Sequence, residues 1–125
     1  MKTIDVEVAK ASEVKEGEVK VVKAEGRSIA LTRVKGTVQA FENKCPHLGL
    51  SLARGKLEDG VIRCPFHGSR FDVCSGKNVD WVNSIAGIPL PKFMQGIVAF
   101  GKKPQAMTTF PAQEAGGAVS VRLPV

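Results

Sequence analysis

The chain has 125 residues and a formal charge of +6, with thirteen Gly, seven Pro, three Cys and two His. That length bounds one domain, or one with a small insertion. No apolar run is long enough for a membrane helix, and three cysteines cannot build a disulfide framework once two are assigned elsewhere. The positive charge is spread along the sequence: eight basic against seven acidic side chains over 1–43, six against four over 44–81, and four against one over 82–125. A nucleic-acid binder wants a basic stripe interleaved with aromatics, so neither nucleic acid nor a membrane is an expected partner. Residues 1–18 carry acidic groups and no apolar leader core, and the expected location is cytoplasmic.

Residues 3–8 alternate Ile4, Val6 and Val8 with Asp5 and Glu7, the pattern of a half-buried strand. A charged connection over 10–17, with room for one helical turn, leads to a second strand at 18–23. A third at 28–34 and a fourth at 37–41 are joined by Lys35-Gly36, a short hairpin signal. The four together predict an antiparallel meander. From 42 to 81 the texture changes to Gly, Pro and metal-type ligands, with short strands at 61–63 and 70–73 and a turn at 75–77. Strand texture returns at 96–100 and 118–123, and the stretch 101–117 between them reads as a flexible excursion. The expected organisation is a single domain over 1–125, with base strands in 1–41 and 82–125 and a ligand-bearing subdomain at 42–81.

Cys45 and His47 form a C-x-H pair; after sixteen intervening residues, Cys64 and His67 form a C-x-x-H pair. Thiolate with imidazole selects zinc or iron–sulfur chemistry. Structural zinc sites usually pair two close cysteines with two close histidines, whereas here each loop supplies one of each. Two loops that each give a Cys to one iron and a His to another fit a [2Fe–2S] unit. A zinc site remains the alternative on the residues alone. Pro46 and Pro65 stiffen the backbone beside each Cys, and Gly49 and Gly68 permit close approach.

The segments CPHLGL and CPFHGSRFD resemble the two cluster-binding loops of Rieske proteins. The resemblance is specific over 41–76 and weak elsewhere. It implies an all-β Rieske fold: an antiparallel, sandwich-like base with an inserted two-loop cluster-binding subdomain. It assigns Cys45 and Cys64 to the inner iron and His47 and His67 to the outer one. High-potential relatives carry an extra Cys in each loop, joined as a disulfide; those positions are Leu50 and Phe66 here. They also follow the second His with a Ser and a Tyr that donate to the cluster; here Ser69 is kept and Phe71 replaces the Tyr. A midpoint in the lower half of the Rieske span of about −150 to +300 mV is expected.

Both histidines are committed to the cluster, so none is left for a mononuclear iron of the two-His-one-carboxylate kind, and there is no G-x-G-x-x-G fingerprint. The expectation is a one-electron carrier, not an enzyme by itself, and most simply a monomer. The resemblance implies a Rieske-type ferredoxin between a flavin-dependent reductase and a terminal oxygenase. The alternatives are a Rieske small subunit of a nitrite-reductase-like complex and a structural zinc module. Leu48, Leu50, Pro65 and Phe66 offer an apolar patch around the ligands. Cys74 is expected to be a small buried side chain or an inert thiol, and Trp81 to pack.

Overall fold

The computed structural model describes residues 2–46, 51–65, 68–80, 84–85, 88–89 and 106–124. Among the described residues the protein is all-β apart from one 3-10 turn at Ala11–Glu13. The described residues form these strands in order: β1 (Thr3–Lys10), β2 (Lys20–Ala24), β3 (Arg27–Val34), β4 (Thr37–Glu42), β5 (Lys56–Glu58), β6 (Val61–Arg63), β7 (Arg70–Asp72), β8 (Asn78–Asp80), β9 (Ser84–Ile85), β10 (Ile88–Pro89), β11 (Thr109–Phe110), β12 (Ala112–Ala115) and β13 (Ala118–Pro124). They form antiparallel sheets in the orders β1-β13-β12, β11-β4-β3-β2, β5-β6-β7-β8 and β10-β9.

The expected meander is corrected at its first strand. β2, β3 and β4 do run as consecutive hairpins, but β1 pairs with β13, Val6 opposite Val121 and Ile4 opposite Leu123. The two strands alternate in the same sense, so pairing them puts Val119, Val121 and Leu123 on one buried face. The flexible excursion over 101–117 is also corrected in its described part. β11 extends the β4 edge, and β12 turns back onto β13. Their pairing to neighbouring strands, rather than an apolar pattern of their own, makes them strands. The strand expected at 96–100 lies outside the described residues.

β3 holds the layers together. Ile29 and Leu31 point into one core with Val14, Val38, Ala40, Phe110, Val119, Val121 and Leu123. Ala30, between them, points the other way into a second core with Phe41, Cys45, Leu52, Ile62, Cys64, Phe71, Val73 and Met107. The middle sheet is therefore covered on both faces, and the short β5–β8 sheet lies against the second. Arg33 staples the first core from outside: its guanidinium donates to the carbonyls of Val14, Ala11 and Gly36 and to the Glu114 carboxylate at 2.8 Å. Among the described residues no helix is long and apolar enough to cross a membrane.

Candidate metal centre

The two cysteine-bearing loops are built differently. The first leaves β4, and Asn43 ties its ends together. The Asn43 Oδ1 accepts from Ser51 Oγ at 3.1 Å, from Leu52 N at 2.9 Å and from Ala53 N at 2.8 Å. Its Nδ2 donates to Ser28 Oγ at 3.3 Å, and its backbone N–H donates to the Ser28 carbonyl at 3.0 Å. One side chain thus fixes where the loop leaves the base and where it returns, eight to ten residues later. Sequence reasoning missed Asn43. The available signal was an Asn just ahead of a Gly-rich ligand loop, since Asn amides habitually stand in for backbone partners in turns.

The second loop joins β6 to β7. Cys64 N donates to the Ser69 carbonyl at 2.7 Å, and Gly68 N donates back to the Cys64 carbonyl at 3.1 Å. Farther from the loop tip, the β6–β7 register sets Ile62 opposite Phe71, both fully buried. Gly55 belongs to the same unit. A Cβ there would lie 1.9 Å from the Arg63 carbonyl oxygen, so only glycine permits the approach.

Cys45 and Cys64 are each 2% exposed and share one apolar core. Neither is in a disulfide. A buried thiol in such surroundings resists ionisation unless a cation stabilises the thiolate. The Ser69 hydroxyl is completely buried and has no hydrogen-bond partner among the described residues. A buried hydroxyl without a partner costs free energy. Two inward thiols beside an unspent hydroxyl donor fit an iron–sulfur cluster, whose thiolates and sulfides accept hydrogen bonds. The Thr32 hydroxyl is likewise buried and unpartnered, on the face of β3 that carries Ala30.

His47 and His67 lie outside the described residues, as do Leu48, Gly49, Leu50, Phe66 and Trp81. Among the described residues no three His, Cys, Asp or Glu side chains converge on one point. Phe71 occupies the fully buried position where a Tyr was the alternative, so its ring brings no hydroxyl.

Cys74 corrects one expectation: its side chain is exposed, not buried. β7 ends at Asp72, whose carboxylate accepts from Cys74 N at 2.9 Å and Ser75 N at 3.0 Å and turns the chain outward. Partial desolvation and then the Asp72 carboxylate hold the thiol above its ordinary pKa, against a smaller opposing pull from Lys35. The inert-thiol part of the expectation is the one this environment favours. Beyond the turn, Gly76 N donates to the Asp72 carbonyl and the Gly76 carbonyl accepts from Met107 N at 2.8 Å, tying the ligand unit to the base.

The Rieske [2Fe-2S] domain matches residues 5–92. The ferredoxin component of the naphthalene 1,2-dioxygenase system of Pseudomonas putida is 42% identical over 72 residues, 58% of this chain and 69% of that one. Ferredoxin CarAc of Metapseudomonas resinovorans is 39% identical over 77 residues, 61% of this chain and 72% of that one. Among solved structures, a chain in the complex of reduced oxygenase and oxidized ferredoxin of carbazole 1,9a-dioxygenase aligns with a TM-score of 0.69 at 28% identity, covering 94% of this chain and 92% of that one. Sphingomonas yanoikuyae B1 ferredoxin shares the fold at a TM-score of 0.74 and 24% identity, over 97% of this chain and 100% of that one. The zinc alternative yields to these matches, because the matching domain is defined by its [2Fe–2S] cluster. With the domain running from β1 through both tied loops, the chain belongs to the Rieske [2Fe–2S] domain family.

Proposed function

We propose that Cys45 and Cys64 hold one iron of the cluster and His47 and His67 the other. The reading is carried by one observation: both cysteines are buried in a single core at the roots of two separately tied loops. The cluster supplies one-electron redox chemistry when bound. The chain's own residues do the rest. Asn43 and the Cys64–Ser69 backbone pair hold the loops in place, and Ser69 offers a donor. Leu52, Ile62, Phe71 and Val73 exclude water from the cysteines. Exclusion of water lowers the local dielectric and limits the reorganisation that accompanies a change of charge.

The chain is an electron carrier and not a catalytic subunit, a ferredoxin of the dioxygenase-system kind. The carbazole relatives are solved in complex with their oxygenase. By analogy this ferredoxin hands its electron to a terminal oxygenase and receives it from a flavin-dependent reductase. It works in the cytoplasm as a monomer, as a single domain over 1–125 whose 42–81 segment is the cluster-binding unit.

The test is iron and sulfide analysis with reduced-state EPR and a redox titration. Two irons and two sulfides per chain, a rhombic signal and a midpoint in the lower half of the Rieske span are expected. His47→Cys and His67→Cys are expected to move the g-values and lower the midpoint. A colourless protein with stoichiometric zinc, or EPR unchanged by both replacements, would sink the ligand assignment.

A further inference from the structure

The two ligand loops differ in how their cations are paired. At the second loop Arg70 has Asp80 as its Cα partner, Lys56 pairs with Glu58 at 2.8 Å, and Arg63 and Arg70 have interactions of their own. At the first loop, Lys44 immediately precedes Cys45, and Arg54 follows the returning segment 51–53. Both are exposed. Neither side chain makes an ion pair or a hydrogen bond among the described residues. Residues 43–57 contain Lys44, Arg54 and Lys56 and no Asp or Glu. The root of the first loop therefore carries positive charge that the fold does not use.

Asn43 brings the two cations to one place. Its Oδ1 accepts from Leu52 N at 2.9 Å and from Ala53 N at 2.8 Å, so the residue before Lys44 is bonded to the residue before Arg54. Leu52 shares the buried core with Cys45, which sets this root at the edge of the cysteine core. The carboxylates around it are few. Glu42 lines a groove of about 310 Å³ with Gly26, Arg27, Ser28, Asn43 and Lys44, and its carboxylate is held by Arg27 at 3.0 Å. Glu25, in the turn between β2 and β3, is balanced by Lys23, the Cα partner of Ser28. Lys44 and Arg54 are the excess. A partner that matches carboxylates to them is steered and oriented together. The large apolar side chains exposed among the described residues are Val21 and Val79, so stacking with nucleic-acid bases has no aromatic platform there.

We propose that Lys44 and Arg54 form the docking contact for a carboxylate-bearing patch of a redox-partner protein, which approaches the cluster over the root of the first loop. This rests on the electron-carrier reading above. The test uses the holo protein on gold coated with a carboxylate-terminated alkanethiol monolayer. It measures the interfacial electron-transfer rate at low and high salt, each variant at its own midpoint. The wild type should transfer faster on this surface than on an ammonium-terminated one. K44E/R54E should slow transfer about tenfold at low salt, with the gap closing at high salt, while its EPR g-values stay those of the wild type. Lys15 and Lys35 stand at the other end of β3, where the Glu16 carboxylate accepts from Lys35 N at 2.9 Å. K15E/K35E makes the same change in net charge there and should stay within about twofold of the wild type. If K44E/R54E does not load its cluster, R54E alone decides, with transfer slowed about threefold expected.

Equal losses in K44E/R54E and K15E/K35E would show that net charge alone steers, and would overturn the docking contact. So would an unchanged rate in K44E/R54E, or in R54E where that variant decides. Binding of a single-stranded oligonucleotide that K44E/R54E abolishes would assign the pair to nucleic acid and overturn it as well. A wild type with a cluster EPR signal but no preference between the two monolayers overturns the contact alone. A wild type with no cluster signal at all overturns the electron-carrier reading and the contact with it.

Discussion

Replacing Ser69 by Ala tests a buried hydroxyl donor in the second ligand loop. The Ser69 carbonyl already accepts from Cys64 N, and an Ala keeps that bond, so the loop geometry should survive. The hydroxyl itself is fully buried and has no hydrogen-bond partner among the described residues. Without the cluster its removal should be neutral or stabilising, by up to about 1–3 kcal/mol, the cost of a buried polar group left unsatisfied. With the cluster the sign reverses. A hydrogen bond to a charged acceptor contributes about 1.5–3 kcal/mol, and only the part that strengthens on reduction affects the potential. Taking that part as roughly 1 kcal/mol, and about 59 mV per tenfold for one electron, the midpoint should fall by roughly 40 mV. The direction follows because a donor favours the more negative, reduced cluster. The assay is a potentiometric titration of both holo proteins followed by EPR, paired with urea unfolding of both apo proteins. A midpoint unchanged within error, or one that rises, refutes the donor role. An apo protein made less stable by the change shows that the hydroxyl was satisfied within the polypeptide.

Asn43→Ala removes the acceptor shared by Ser51, Leu52 and Ala53, and should cost about 2–4 kcal/mol and speed iron loss to a chelator; Asn43→Asp keeps the acceptor and should recover most of both. Gly76→Ala places a Cβ 2.3 Å from the Met107 carbonyl oxygen at a φ of +78°. It should lower stability in urea by about 2 kcal/mol or more. Glu114 has its carboxyl held below the ordinary value by the hydrogen bond from Arg33 and then by that residue's charge. A depressed folded-state pKa contributes stability that is present above the unfolded value and is lost as pH falls through the folded one. Melting temperature should therefore drop on acidification from the ordinary carboxylate range downward, and Glu114→Gln should flatten that drop and lower the plateau above it.

The base strands were legible where one strand's own pattern decides its face. Ile4-Val6-Val8 and Val119-Val121-Leu123 alternate cleanly, yet neither says that its partner is the other. That pairing joins the two ends of the chain and is settled by which faces must share a core, which no local window contains. β5 and β12 escaped notice because Lys-Leu-Glu and Ala-Gln-Glu-Ala have little apolar period, and they are held as strands by pairing with β6 and β13. The ligand residues were legible for the opposite reason: Cys and His are rare here, and their spacing carries chemistry regardless of the fold. What holds them was not legible. Asn43 acts on residues eight to ten positions ahead, a reach set by the loop's closed shape rather than by any motif.

The placement of Ala30 shows how the two parts of the molecule constrain each other. β3 is buried on both faces, and between Ile29 and Leu31 it turns a side chain of minimal size toward the cysteines. Phe41 and Met107 complete that side from neighbouring segments of the base, while Leu52, Ile62, Phe71 and Val73 close it from the ligand unit. The core around Cys45 and Cys64 is therefore contributed jointly, and neither part can shut water out alone. A larger residue at position 30 would push on the cysteine core and leave the Ile29 and Leu31 side untouched. Ala30→Val should thus disturb the cluster's EPR line shape and midpoint more than Leu31→Val does, although the latter removes a buried methylene at a cost of about 1 kcal/mol. If Leu31→Val moves the midpoint as far as Ala30→Val, the two cores are mechanically one, and the base would have to be counted as part of the redox site rather than its support.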